Sequence, residues 1–267
     1  MRRANKALDI LSRASREKNL TVRDDQYDFP GLLDLVKAWR KSNRRVRVVD
    51  SGKIEAVQLE WLGEAGADIY TSDRARGNPE ELELIHKACR RGRAITAYLL
   101  QGPLKEDEGE GPFFSDIVNL GKNGIYLYLS IRNTSLDFSM LRELASTAKK
   151  GGSWLVYYHH GPLEETLEEL ARSSAWIHLS DRSLKQPKDA EQVIELIKTS
   201  ESRKPRFVIH VERRWDVRQL QDVLETGAYV LFKTALSDYR SPLRPLEEKS
   251  KKQKLDFRAY YLYPDFF

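Results

Sequence analysis

Cysteine is almost absent from this chain: Cys89 is the only one in 267 residues. That excludes an intrachain disulfide and any zinc or iron–sulfur motif built from several thiolates, and it fits a reducing compartment. Glycine-rich phosphate loops are missing too. With no G-x-x-x-x-G-K-[ST] and no G-x-G-x-x-G, a nucleotide held in the usual way is not expected. There is no H-E-x-x-H zinc signature. No apolar run reaches the roughly 18 residues that a membrane span needs, and "MRRANKALDILSRASREKN" is basic without the continuous apolar stretch of a secretory signal. A cytoplasmic protein without a membrane partner is expected.

What is abundant is charge on a chain that still carries a core. Charged residues make up 32% and hydrophobic ones 40%, enough for a globular fold under a polar surface. Lysine and arginine number 45 against 40 acidic residues, for a net charge of +5. Anionic partners are favoured, but the near-balance of signs gives no uniform field.

Short apolar stretches of strand character alternate with helical periodicity from residue 45 onward. The stretches are "RVRVVD" (45–50), "ADIYTS" (67–72), "AITAYLL" (94–100), "GIYLYLSIR" (124–132), "SWLVYYH" (153–159), "AWIHLS" (175–180), "RFVIHVE" (206–212) and "AYVLFK" (228–233). Between them lie amphipathic segments such as "NPEELELIHKACRRG", with Asn78 as N-cap, Pro79 in the first turn, Glu81 at the capping-box position and Gly92 as terminator. Strictly alternating strands and helices imply parallel pairing with right-handed crossovers. Eight units of this length suggest a single (β/α)8 barrel of the TIM type. The expected organisation is N-terminal helices over 1–44 (one around Ala7 to Ala14, one in "FPGLLDLVKAWRKS"), the barrel over 45–236, and a C-terminal aromatic tail over 237–267 packed on the barrel or on a partner subunit. The stretch 101–123 reads as one long connection, either a lid or an insertion.

Alternation along each strand assigns the faces, because the outer face of a barrel packs on helices and takes the aliphatic residues. The inward set is then Tyr70 and Ser72; Thr96 and Tyr98; Tyr126, Tyr128, Ser130 and Arg132; Trp176, His178 and Ser180; His210 and Glu212; and Tyr229, Leu231 and Lys233. Strand 45–50 is ambiguous, and so is 153–159, where Tyr157 with His159 competes with Tyr158 and His160. So many inward polar groups need a network or a ligand, since each costs about 1–3 kcal/mol if left unpaired. The strand ends add Asp50, Asp73, Asp181, Arg182 and Arg213, with Arg74, Arg76, Lys185 and Arg214 forming a basic rim.

The chemistry that this set favours is acid–base catalysis, of isomerase or lyase type, on an anionic small molecule. Glu212, His210, His178 and Lys233 are the catalytic candidates, and Arg132, Tyr128, His160, Asp181, Arg182 and Arg213 the substrate-binding ones. The alternatives are a metal-dependent hydrolase, with His160, His178, His210 and Glu212 holding a divalent metal, and a non-catalytic barrel that serves as a scaffold or RNA-binding subunit through its basic runs.

Overall fold

The computed structural model describes residues 19–104, 112–130, 136–160, 163, 166–173, 175–180, 187–200, 206–211, 217–232 and 244–252. The chain forms two compact units, Met1–Asp116 and Ile117–Phe267. In the first, β1 (Asn19–Arg23), β2 (Arg45–Val49), β3 (Asp68–Ser72) and β4 (Thr96–Leu100) pair parallel in chain order. They are joined by α1 (Phe29–Lys41), α2 (Ala56–Glu64) and α3 (Pro79–Arg91), and α4 (Phe114–Lys122) spans the boundary between the units. In the second, β5 (Tyr126–Ser130), β6 (Leu155–His159), β7 (Trp176–Ser180), β8 (Phe207–Val211) and β9 (Tyr229–Phe232) do the same. Here the helices are α5 (Phe138–Lys150), α6 (Thr166–Arg172), α7 (Pro187–Thr199), α8 (Val217–Glu225) and α9 (Arg244–Lys251). Parallel strands laid down in chain order, each followed by a helix, put the chain in the α/β class of the (β/α)8 barrel.

All eight expected strands form, and the structure adds one before them. "NLTVR" lies in the segment read as purely helical, yet it pairs in register with β2, Val22 opposite Val48. It carries only two aliphatic residues, so its strand character comes from the partner rather than from its own pattern. The helix expected around Ala7 to Ala14 lies outside the described residues. The long connection also proves shorter than expected: its second half folds as α4, which buries Ile117, Val118 and Leu120. Of the C-terminal stretch, the described part is α9, a helix that packs against β9 and α8 and buries Leu246.

Helix boundaries follow local chemistry. Asn78 caps α3 by accepting from the Glu80 N–H at 3.0 Å, and Asp137 caps α5 by accepting from the Met140 N–H at 2.8 Å. The shared Gly-Ala step in "EAGADIYTS" and "ETGAYVLFK" also has a physical cause. Gly66 and Gly227 sit just past α2 and α8 at φ +104° and +86°, the left-handed turn that ends a helix, and Ala67 and Ala228 are the fully buried residues that follow.

In the first unit the core lies between the strands and the helices. Val22, Val46, Val48 and Ile69 face Leu32, Leu35, Val36 and Trp39 of α1, Leu59 and Leu62 of α2, and Ile85 and Cys89 of α3. Each fully buried side chain of this size contributes about 1.5–3 kcal/mol. Cys89 behaves as part of that core: burial pushes its thiol up to about 12. The folded protein should therefore take up no thiol reagent near pH 8, and one equivalent once denatured. Stoichiometric labelling of the native protein would contradict this packing.

Candidate active site

In a parallel ladder, residues in register point to the same side of the sheet. In the second unit Ser130 is in register with Tyr158, Tyr158 with His178, Ser180 with His210, and His210 with Leu231. One face therefore carries Tyr126, Tyr128 and Ser130 of β5, Tyr158 of β6, Trp176, His178 and Ser180 of β7, His210 of β8, and Tyr229 and Leu231 of β9. This is the face assigned as inward from alternation, and it settles the ambiguous strand in favour of Tyr158. The Trp176 and Tyr229 rings meet at 5.6 Å between centroids although β8 runs between their strands, so this face is the concave one. Tyr157 and His159 take the opposite face, where the tyrosine hydroxyl lies 3.5 Å from Nδ1 of the histidine.

At the centre of the concave face two imidazoles meet. Nδ1 of His178 lies 2.9 Å from Nε2 of His210, and the ring centroids are 5.1 Å apart. Both residues are buried, at 1% and 5% exposure. Tyr158 presses on the His178 ring in an edge-on contact at 4.6 Å, and Tyr128 stacks on Tyr158 at 6.4 Å. The alternation that puts Ile177 and Leu179, and Ile209 and Val211, on the other side leaves the two histidines no other orientation.

Of the remaining expected site residues, His160 directly follows β6. Arg132, Asp181, Arg182, Glu212, Arg213 and Lys233 lie outside the described residues. Of the alternative metal set, Glu212 lies outside the described residues; among the described ones no group of three or more His, Cys, Asp or Glu side chains is placed to hold a metal ion, and His178 and His210 meet each other. No described helix is long and apolar enough to cross a membrane.

In the first unit the face assignments need two corrections. Thr96 and Tyr98 were expected inside with Tyr70 and Ser72, but Thr96 is in register with Ile69, a core residue on the helix side, and Tyr98 with Thr71. The strand turns Ala97 and Leu99 to the face of Tyr70 and Ser72, against the rule that aliphatic residues go outward, because the pairing that sets Thr96 opposite Ile69 leaves them no other side. Arg76 is not a rim cation. It is only 11% exposed and binds Asp50, with Nε 3.0 Å from Oδ2, and it also donates to the Ile54 carbonyl. Asp50 and Asp73 are likewise committed to structure: the Asp73 carboxylate accepts from the backbone N–H groups of Gln101 and Gly102 at 2.9 and 2.6 Å, which ties down the chain leaving β4.

Arg47 was missed. It is 1% exposed, in register with Thr21 and Asp68, and donates to the Thr21 hydroxyl at 3.4 Å. The signal was present in "RVRVV", whose alternation sends Val46 and Val48 to the helices and the arginines to the other side. Asp68, fully buried beside it, is held above the usual carboxylate range by burial, against the pull of Arg45 at 2.8 Å and of Arg47. An open groove between α5 and α6, lined by Ser139, Arg142, Glu169 and Arg172, lies among helices away from the histidine face. Its arginines are paired with Glu169 and Glu168.

No family model matches the chain, and no curated protein does. Among solved structures, it has a likeness to the 3-dehydroquinate dehydratase of Aquifex aeolicus VF5, with 12% identity, a TM-score of 0.39, and coverage of 89% of this chain and 99% of that one. A truncated 3-deoxy-D-arabino-heptulosonate 7-phosphate synthase from Thermotoga maritima gives 11% identity and a TM-score of 0.36 over 87% and 86% of the two chains. A putative fructose-1,6-biphosphate aldolase from Coccidioides immitis gives 12% and 0.35 over 93% and 86%. At scores this low, none of these likenesses bears on reaction or substrate.

Proposed function

We propose that the concave face of the second unit serves an enzyme that performs acid–base chemistry, of isomerase or lyase type, on an anionic small molecule, with His178 and His210 as its proton carriers. The supporting observation is the 2.9 Å contact between the two buried rings on a face lined by tyrosines. Histidine is the side chain whose proton affinity suits transfer near neutrality. In this reading Glu212, two residues beyond His210, is the accompanying base and Lys233 a further catalytic candidate. Tyr128, His160, Arg132, Asp181, Arg182 and Arg213 contribute binding, and the excess of basic residues draws in an anion.

The test is a thermal-shift screen of small carboxylates and phosphate esters on wild type and on His178→Gln and His210→Gln. A true ligand at a hundredfold its Kd stabilises the fold by about 2.7 kcal/mol, and either substitution should abolish the shift. Where turnover is found, either should lower kcat by about 10²–10⁴-fold. A ligand that stabilises both variants as much as wild type would refute the assignment.

A further inference from the structure

Two imidazoles that face each other through ring nitrogens 2.9 Å apart need one hydrogen between them, donated by one ring and accepted by the other. From the geometry of this contact we infer that His178 and His210 titrate as a single group that takes up one proton. This rests on the acid–base reading of the same face and specifies how that face would work.

With both rings neutral, the shared hydrogen sits on Nδ1 of His178 or on Nε2 of His210. One added proton is accommodated without breaking the bond: the cation's N–H donates to its neutral neighbour. A second proton would set two N–H donors against each other at 2.9 Å, both rings being nearly solvent-free. Buried like charges disfavour each other strongly, and their titrations merge into a property of the pair. Among the described residues, those in register beside the pair are Tyr158 and Val208 at His178, and Ser180 and Leu231 at His210. Among the described titratable residues of this face, the other members are Tyr126, Tyr128 and Tyr229.

The Tyr158 ring edge against His178 holds the plane of that imidazole so that Nδ1 keeps facing its partner, which makes Tyr158 a positioning residue.

The experiment is an NMR titration of the ring protons over roughly pH 5 to 8, the range in which histidine normally charges, on the full chain, with assignments from His178→Gln and His210→Gln. The expected result is that the His178 and His210 signals of wild type move together with one midpoint and a combined uptake of one proton. In either variant the remaining ring should titrate alone, and Tyr158→Leu should split the joint transition. Independent uptake of a full proton by each ring in the folded wild type would overturn the inference, and so would uptake of none. No ligand is needed, so the outcomes separate: one-proton behaviour without ligand binding would sink the enzymatic reading alone, and two-proton behaviour with ligand binding would sink the shared proton alone.

Discussion

Replacing Asp50 by alanine should unfold the protein at a temperature roughly 10 °C below wild type, although this residue sits at a strand end where a catalytic carboxylate would be sought. Oδ2 accepts from the Thr71 hydroxyl at 2.7 Å and from Nε of Arg76 at 3.0 Å. Oδ1 accepts from the Gly52 N–H at 2.9 Å and from Nη2 of Arg76 at 3.3 Å. The carboxylate is completely enclosed and the guanidinium nearly so. Removing one partner of such a pair costs about 3–5 kcal/mol, because among the described residues Arg76 keeps only the partly exposed Glu81 carboxylate, at 3.9 Å, as an ionic partner and the Thr71 hydroxyl and the Gly52 N–H are stranded as well. Asp50→Asn keeps an acceptor oxygen, so the loss should be smaller. A variant that melts with wild type but loses activity would show that the residue is catalytic rather than a tie between β2, β3 and the following loops.

The second large effect is expected at Gly92, the terminator of α3. A Cβ there would lie 2.0 Å from the Gly63 carbonyl oxygen and 2.8 Å from that of Glu64, both backbone atoms at the end of α2. Gly63 is as constrained on its own side, since a Cβ would meet Sγ of Cys89 at 2.6 Å. No side chain can swing away, so Gly92→Ala must push the two helices apart, at about 1–3 kcal/mol for overpacking. Gly151 repeats the arrangement at the end of α5, where a Cβ would stand 2.1 Å from the Gly121 oxygen, and should respond alike. Gly77 supplies the control: its nearest neighbour would be the Asp73 oxygen at 3.8 Å, and alanine there should change stability by less than about 0.5 kcal/mol. Equal denaturation midpoints for Gly77→Ala and Gly92→Ala would contradict the close approach of α2 and α3.

The fold class was legible because parallel α/β strands announce themselves as apolar runs punctuated by caps. The Asn78 cap and the Gly92 stop fell where the sequence put them. β1 was not legible, since Leu20 and Val22 alone cannot distinguish a strand from a linker until β2 lies beside them. Alternation located Tyr128, His178 and His210 on one face because each is flanked by aliphatic residues that have only one place to go. It failed at Thr96 and Tyr98, where register with Ile69 and Thr71 of β3, rather than the strand's own aliphatic pattern, fixed the face. It could not show that His178 and His210 touch each other, because contact between strands depends on register, which a strand's own residues do not encode. Nor could it show that Asp50 and Arg76 are consumed by each other, since their pairing depends on the path of the loop after β3.

The central claim is that the histidine pair receives the substrate, and the chain's five histidines provide their own reporters. The most direct measurement is to add the small anion that most raises the melting temperature and follow the histidine ring signals by NMR. The account predicts saturable shifts at His178 and His210, with His86 in α3 and His159 on the helix side of β6 unmoved. Shifts confined to His86 or His159, or a bound anion that leaves the His178 and His210 signals in place, would contradict it.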